Sequence, residues 1–334
     1  MSRDRPAIPA AIAVAAAVSI GVMTAIQARI NGLLGARLDD GILAGFISFF
    51  VGLVIILVVL PFLPKPRAGV SRLWQGLPWR TRANRHRASD SKTSRIPFWM
   101  LLGGTCGALT VTTQGLVAGV VGVALFTVGV VAGQTLHSLL LDRMGFGPAG
   151  VVPVTVGRVV GGALALAAVV ISLSGDVFAS SPLWMLLLPF AAGVGIAWQA
   201  GANGRLAQRV RSPMAATLVS FIAGTTVLAI AAVISVAVAG MPRALPTEPW
   251  LYLGGLLGFI YILLGAFIVA HTGVLVLSLG SVLGQLVTSV VIDLVWRPAA
   301  GPSVTQMVIM VAFAIASVLA AVPWRRRRAR PEGD

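Results

Sequence analysis

The sequence predicts an all-α polytopic membrane protein whose ten transmembrane helices form two inverted-topology five-helix repeats. Three observations carry that prediction. Hydrophobic residues make up 57% of the 334-residue chain and charged residues only 10%, where a soluble globular protein carries about a quarter charged. Apolar runs of roughly 20 residues recur, each long enough to cross a hydrocarbon core about 30 Å thick. The chain also repeats itself at fixed offsets.

Ile26-Gln27-Ala28-Arg29-Ile30-Asn31-Gly32 returns 172 residues later as Trp198-Gln199-Ala200-Gly201-Ala202-Asn203-Gly204, and Ser48-Phe49 with Gly52 returns as Ser220-Phe221 with Gly224. Trp99 to Gly104 with Gly107 returns 151 residues later as Trp250 to Gly255 with Gly258. Gly133-Gln134, Ser138 and Asp142 return at the same offset as Gly284-Gln285, Ser289 and Asp293. Internal duplication of this kind fixes an architecture before any side-chain chemistry is read.

Ten spans follow, at about 8–28, 42–63, 97–116, 119–140, 151–173, 182–203, 214–239, 249–269, 272–295 and 304–323. Breaks are expected at Arg37 to Asp40, Arg143 to Pro148, Ser174 to Asp176, Arg209 to Pro213 and Arg297-Pro298, and a short turn near His271. Helices are expected because the alternating segments of a membrane barrel are absent. The first run follows Arg3 and Arg5 as a signal peptide would, but its internal twin around Gln199 argues for a retained span. The domains are then 1–174, including a basic loop at 64–96, a second repeat at 175–324 and a basic tail at 325–334.

The net charge of +15 does not point to nucleic acid, because of where it sits. Lys65, Arg67, Arg72, Arg80, Arg82, Arg85, Arg87, Lys92 and Arg95 fill one loop, and Arg325 to Arg328 with Arg330 follow the last span. Basic residues accumulate in cytoplasmic loops because they resist translocation; contact with anionic lipid is the next reading. With both termini in the cytoplasm, 20 basic residues lie inside and four, Arg29, Arg37, Arg243 and Arg297, outside. Five spans per copy is an odd number, so the second copy enters from the opposite face. Inverted repeats of this kind build secondary transporters with a site near the midplane. The alternatives are a non-transporting membrane scaffold and a lipid-interacting protein.

Candidate site residues come from the twins. Gln27 and Asn31 share one helix face, as do Gln199 and Asn203; these amides either bind a polar substrate or act as interhelical glue. Gly32 and Gly204 serve a helix end or a close approach. Gln134, Ser138 and Asp142 form one stripe, and Gln285, Ser289 and Asp293 another. The glutamines and serines join the substrate-pathway candidates. Asp142 and Asp293 are candidates for gating or proton coupling, or anchors beside Arg143 and Arg297. His137 has no histidine twin and is either a proton-coupling group or a packing residue. Arg158 either snorkels, attracts an anionic substrate or pairs with Asp142, the pairing being favoured. The glycine triads around Gly103 and Gly254 read as helix-packing faces.

Cys106 is the single cysteine, which excludes a disulfide framework. No nucleophile elbow, zinc-ligand pair or phosphate loop is present, so neither an enzyme, a metal site nor a cofactor is expected. An ion gradient, of protons or another ion, or the substrate's own gradient is then the driving force.

The segments Gln27 to Gly32, Phe46 to Gly52, Trp99 to Gly104 and Ala132 to Asp142 resemble the YdcZ family of proposed bacterial inner-membrane exporters, within the drug/metabolite transporter superfamily. Members are commonly single five-span units, and this chain is similar to two fused head to tail. The resemblance implies transport of small metabolites or drug-like molecules, and it implies export. The second copy departs at Trp198, at Gly201 and in lacking a counterpart to Arg158.

Overall fold

A computed structural model describes residues 10–77, 95–172, 184–242, 244–296 and 303–321. The breaks expected at Ser174 to Asp176 and Arg297-Pro298, most of the basic loop's arginines and the C-terminal tail lie outside the described residues. The described residues contain helices and no strand. We label them α1 (Ala10–Leu38), α2 (Gly41–Val59), α3 (Pro64–Gly76), α4 (Gly103–Thr113), α5 (Val123–Arg143), α6 (Val156–Ser172), α7 (Trp184–Val210), α8 (Pro213–Ala239), α9 (Gly254–Val295) and α10 (Val304–Ala321). Among the described residues, six segments are long and apolar enough to cross a membrane: Ala11–Leu38, Gly41–Phe62, Phe98–Ala118, Pro213–Ala239, Pro249–Thr272 and Val274–Val295.

Local chemistry places the helix ends. α1 stops at a tight turn in which Asp39 adopts a φ of 52°, and α7 stops at the twin turn with Arg211 at 53°. Asp40 then caps α2 by accepting from the N–H groups of Ile42 and Leu43, and its twin Ser212 caps α8 by accepting from Ala215. Such caps satisfy amide donors that have no intrahelical partner.

Two expectations need correcting. α1 runs ten residues past the expected end, so Gly32 lies inside a helix, packed on Gly119, and Gly204 likewise lies inside α7 against Val269 and Pro148. Of the two roles expected for these glycines, close approach is the one observed. The basic loop begins with α3, which is docked rather than free. Its Gly69 abuts Ser212, and its Arg72 donates through Nε to the Val210 carbonyl at 2.7 Å, capping the end of α7.

The turn expected near His271 is present as a reversal between the spans Pro249–Thr272 and Val274–Val295, but in an unexpected form. Helical bonding continues through it, and His271 Nδ1 lies 3.2 Å from the Phe267 carbonyl oxygen. A straight 42-residue helix would be about 63 Å long, twice the hydrocarbon thickness. Instead the chain folds back. Gly258 abuts Gln27, Gly265 faces Ile20, Gly280 abuts Ala17 and Gly284 abuts Val18 and Val22. Contacts therefore descend α1 and then climb it again. At the reversal, Asp142 accepts from the N–H groups of Val274 and Leu275 at 2.8 and 3.0 Å, in competition with the carbonyls one turn earlier. A side chain inserted into the helical ladder is a recognised cause of sharp kinks.

The two copies interlock. α1 packs along α9 and α7 along α4 and α5, so each copy grips the other. Twin elements also meet one another: α2 with α8, α5 with the second half of α9, and α6 with α10. At the first of these, the rings of Phe49 and Phe221 lie 5.1 Å apart, and each fills the space beside the other's glycine, Gly224 and Gly52. Gly104 lies on the carbonyl of Ser220, and its twin Gly255 lies on the carbonyl of Ser48.

A Cβ at either glycine would overlap a backbone carbonyl that has nowhere to move. G104A and G255A are each expected to lower stability by about 1–3 kcal/mol, the usual range for overpacking. Thermal unfolding in detergent reads this; an unchanged midpoint in both variants would mean the backbones do not approach this closely.

Candidate functional site

A subset of the buried polar residues lines a cavity of about 50 Å³: Gln134 of α5, Gln199 and Asn203 of α7, Thr24 of α1, and Tyr261, Ser278, Ser281 and Gln285 of α9, with Ile20, Ile196, Ile262 and Leu277 as apolar wall. At about 10–15 Å³ per water it is large enough for a few water molecules. The position follows from the repeat. Gln134 and Gln285 are twins, and Gln285 Nε2 donates to Gln134 Oε1 at 3.3 Å and to Ser281 Oγ at 2.9 Å. The two glutamines therefore meet where the two copies face each other.

Four of the eight pathway candidates line this cavity. Gln27 and Asn31 do not. Gln27 Nε2 donates to the Gly254 carbonyl at 2.7 Å, and Asn31 Nδ2 donates to Gln114 Oε1 at 2.7 Å. Ser138 and Ser289 also lie outside it; each hydroxyl donates to a carbonyl of its own helix, Thr135 and Leu286, at 3.0 Å. Thr24, Tyr261, Ser278 and Ser281 carry no identical twin: Thr24 and Ser281 match the apolar Ile196 and Val130, and Tyr261 and Ser278 match the threonines Thr110 and Thr127. Periodicity could have found Ser278, Ser281 and Gln285, which share one helical stripe.

Gln199 is 5% exposed and its Nε2 makes no hydrogen bond. Asn203 Oδ1 accepts from Ser220 at 2.7 Å, which leaves its amide N–H donors as the groups it can offer. An amide buried without a partner costs several kcal/mol where water is excluded. Every polar side chain lining the cavity is uncharged.

The aspartates serve the backbone. Asp142 holds the start of the second half of α9, as described, and Asp293 accepts from the N–H groups of Val123 and Ala124 at 3.3 and 2.8 Å. These are twin interactions, each carboxylate reaching across to the other copy. Asp142 also forms a buried ion pair with Arg158, the pairing favoured among the three sequence alternatives. Near Asp293, the Arg29 guanidinium instead stands 5.8 Å over the ring of Trp296, three residues further along the chain. His137 is half-buried on α5 and does not line the cavity. Among the described residues no group of three or more His, Cys, Asp or Glu side chains comes together as a metal site would need.

The departures of the second copy have a packing reason. Trp198 stacks on Phe146 with centroids 5.9 Å apart, and Trp99 lies on the same ring at 4.8 Å. Gly201 abuts Phe146 where Arg29 stands in the first copy. Arg205 donates through Nε to the Phe146 carbonyl at 2.9 Å and also bonds Gly145, which fixes the loop that carries this ring.

Interlocked twin copies of long apolar helices around a buried amide-lined cavity define a polytopic helical membrane protein. A profile of the YdcZ family, described as "Putative inner membrane exporter, YdcZ", matches residues 12–171 and again 184–322. The chain belongs to that family, as two units fused in one polypeptide. A solved crystal structure, titled only "Crystal structure of protein", is similar in fold, with a TM-score of 0.56 at 16% identity over 93% of this chain and 96% of its own. No curated protein matches the sequence.

Removing one member of a buried ion pair strands the other and costs about 3–5 kcal/mol. D142A also removes the acceptor for two amides of α9, so it is expected to destabilise by that amount. R158M leaves the carboxylate its two N–H donors and should cost less. Unfolding midpoints of the two variants check the order, and R158M proving the worse would contradict it.

Proposed function

We propose that this protein is a secondary transporter that exports small molecules across the bacterial inner membrane by alternating access. Residues 1–174 and 175–324 are the two five-helix repeats, inverted relative to one another, ten spans in all, with both termini in the cytoplasm. The observation that carries this reading is the cavity at the join of the copies, where the twins Gln134 and Gln285 meet. Gln134, Gln199, Asn203 and Gln285, with Thr24, Tyr261, Ser278 and Ser281, bind the substrate in this arrangement. Gln27 and Asn31, the twins of Gln199 and Asn203, take the same role when the copies exchange conformations.

Asp142 and Asp293 are the gating elements, since each ties one copy's helix reversal to the other copy. Breaking one tie while keeping its twin changes which half is held shut. Arg158 sets the strength of one tie, and a proton or another ion exchanged at these carboxylates, or at His137 on the same helix as Asp142, couples the cycle to a gradient. An ion gradient or the substrate's own gradient supplies the driving force.

Cysteine accessibility tests this. In a Cys106→Ser background reconstituted in sealed vesicles, a cysteine at Ser278 is expected to react with impermeant maleimide from both faces, with D142N shifting the balance between them. A position unreactive from either face would support the scaffold or lipid-interacting reading instead.

A further inference from the structure

Resting on the transport reading, we infer that the cavity takes a small uncharged molecule bearing a carboxamide or an equivalent neutral donor–acceptor pair, because a carboxamide of the chain itself fills the cavity's twin. Asn203 and Gln199 of the cavity correspond to Asn31 and Gln27 at the 172-residue offset, and Gly265 of the cavity corresponds to Gln114 at the 151-residue offset. On the first-copy side Gln114 is fully buried and accepts from Asn31 Nδ2 at 2.7 Å. Its helix opens at this residue into a π-helical turn, Gln114–Ala118, a distortion often found at functional positions. On the cavity side there is no side chain. A Cβ at Gly265 would meet nothing nearer than Ile20 Cδ1 at 3.9 Å.

The walls select the same chemistry. Gln199 Nε2 is buried against Gly107 without an acceptor, and Asn203, whose oxygen is engaged by Ser220, has only N–H donors left to offer the cavity. Gln134, Gln285 and Ser281 are adjustable amide and hydroxyl groups that accept as readily as they donate. No lining side chain is charged, so an ion would leave water without meeting a counter-charge. A neutral molecule with an acceptor oxygen meets donors where Gln114 meets Asn31.

Thermal unfolding of the full-length protein in detergent, with propionamide against sodium propionate as the isosteric charged control, tests the inference. The wild type is expected to be stabilised in a dose-dependent way by millimolar propionamide and not by propionate. G265Q places the missing carboxamide in the cavity and removes a helix glycine; it should unfold at a higher temperature and lose the propionamide response. Q199L keeps the volume and removes the donor, and should need at least about tenfold more propionamide for the same shift. An equal response to propionate, no response to propionamide, or undiminished responses in both variants overturns the inference. Flux that survives in G265Q sinks it while leaving transport intact, whereas propionamide binding without flux in reconstituted vesicles sinks the transport reading alone.

Discussion

The contact on which the rest depends is backbone against backbone, made at glycine and made in pairs. Gly21 lies on the carbonyl of Ser281 and its twin Gly193 on that of Val130; Gly284 lies on Val18 and its twin Gly133 on Phe190. In lipid, helices gain little from burying apolar side chains against one another, so association relies on close packing and polar contacts. Once the main chains touch, short polar side chains reach across. Gln27 meets Gly258, Gln199 meets Gly107, Asn31 meets Gly254 and Asn203 meets Gly103. The buried amides are thus a consequence of the glycine contacts, because only where a Cβ is missing can a carboxamide lie against a neighbouring helix and bond its backbone.

The carboxylates solve a different problem, the reversal of chain direction inside the fold. In the first copy the reversal precedes α5 at Gly122, with a φ of 88°, and Asp293 takes the freed amides of Val123 and Ala124. In the second copy the helical pattern persists through the reversal, and Asp142 takes the amides of Val274 and Leu275. One side chain does the same work on two different backbones. Each aspartate belongs to the copy opposite the amides it holds, so neither copy's reversal is complete without the other.

Much of this was legible in the sequence. Gln134 and Gln285 were paired by the 151-residue offset before any geometry, and they meet in space. The cost of an unpaired cation in a span favours pairing of Arg158 with Asp142 over snorkelling or anion attraction, and the pair forms. Less legible was which twins would share a cavity, since the offset treats Gln27 and Gln199 alike, and only packing shows that Gln27 spends its amide on Gly254. Tyr261 was hidden because its twin is Thr110, and the role of Gly265 because a missing side chain leaves no chemical signal. The docking of α3 was obscured by charge: Arg72 looked topogenic, yet it reads the carbonyl end of α7, a place where cations are favoured.

The asymmetry between Gln114 and Gly265 bears on how such a carrier rests. Two identical halves would give two conformations of equal energy, related by exchange of the copies. Here the first copy carries its own carboxamide to Asn31, and the second has no residue that can do the same for Asn203. That hydrogen bond is worth about 0.5–1.5 kcal/mol net, a bias of roughly two- to tenfold in population at room temperature. If the copies exchange conformations as proposed, the bias favours the arrangement with the cavity on the Asn203 side. In the transport cycle proposed above, a substrate beside Gly265 would supply to Asn203 what Gln114 supplies to Asn31, and so would restore to the loaded protein the balance that divergence of the copies removed from the unloaded one. A duplicated fold that had stayed symmetric would need no such residue, and one with glutamine at both positions would have no room for cargo.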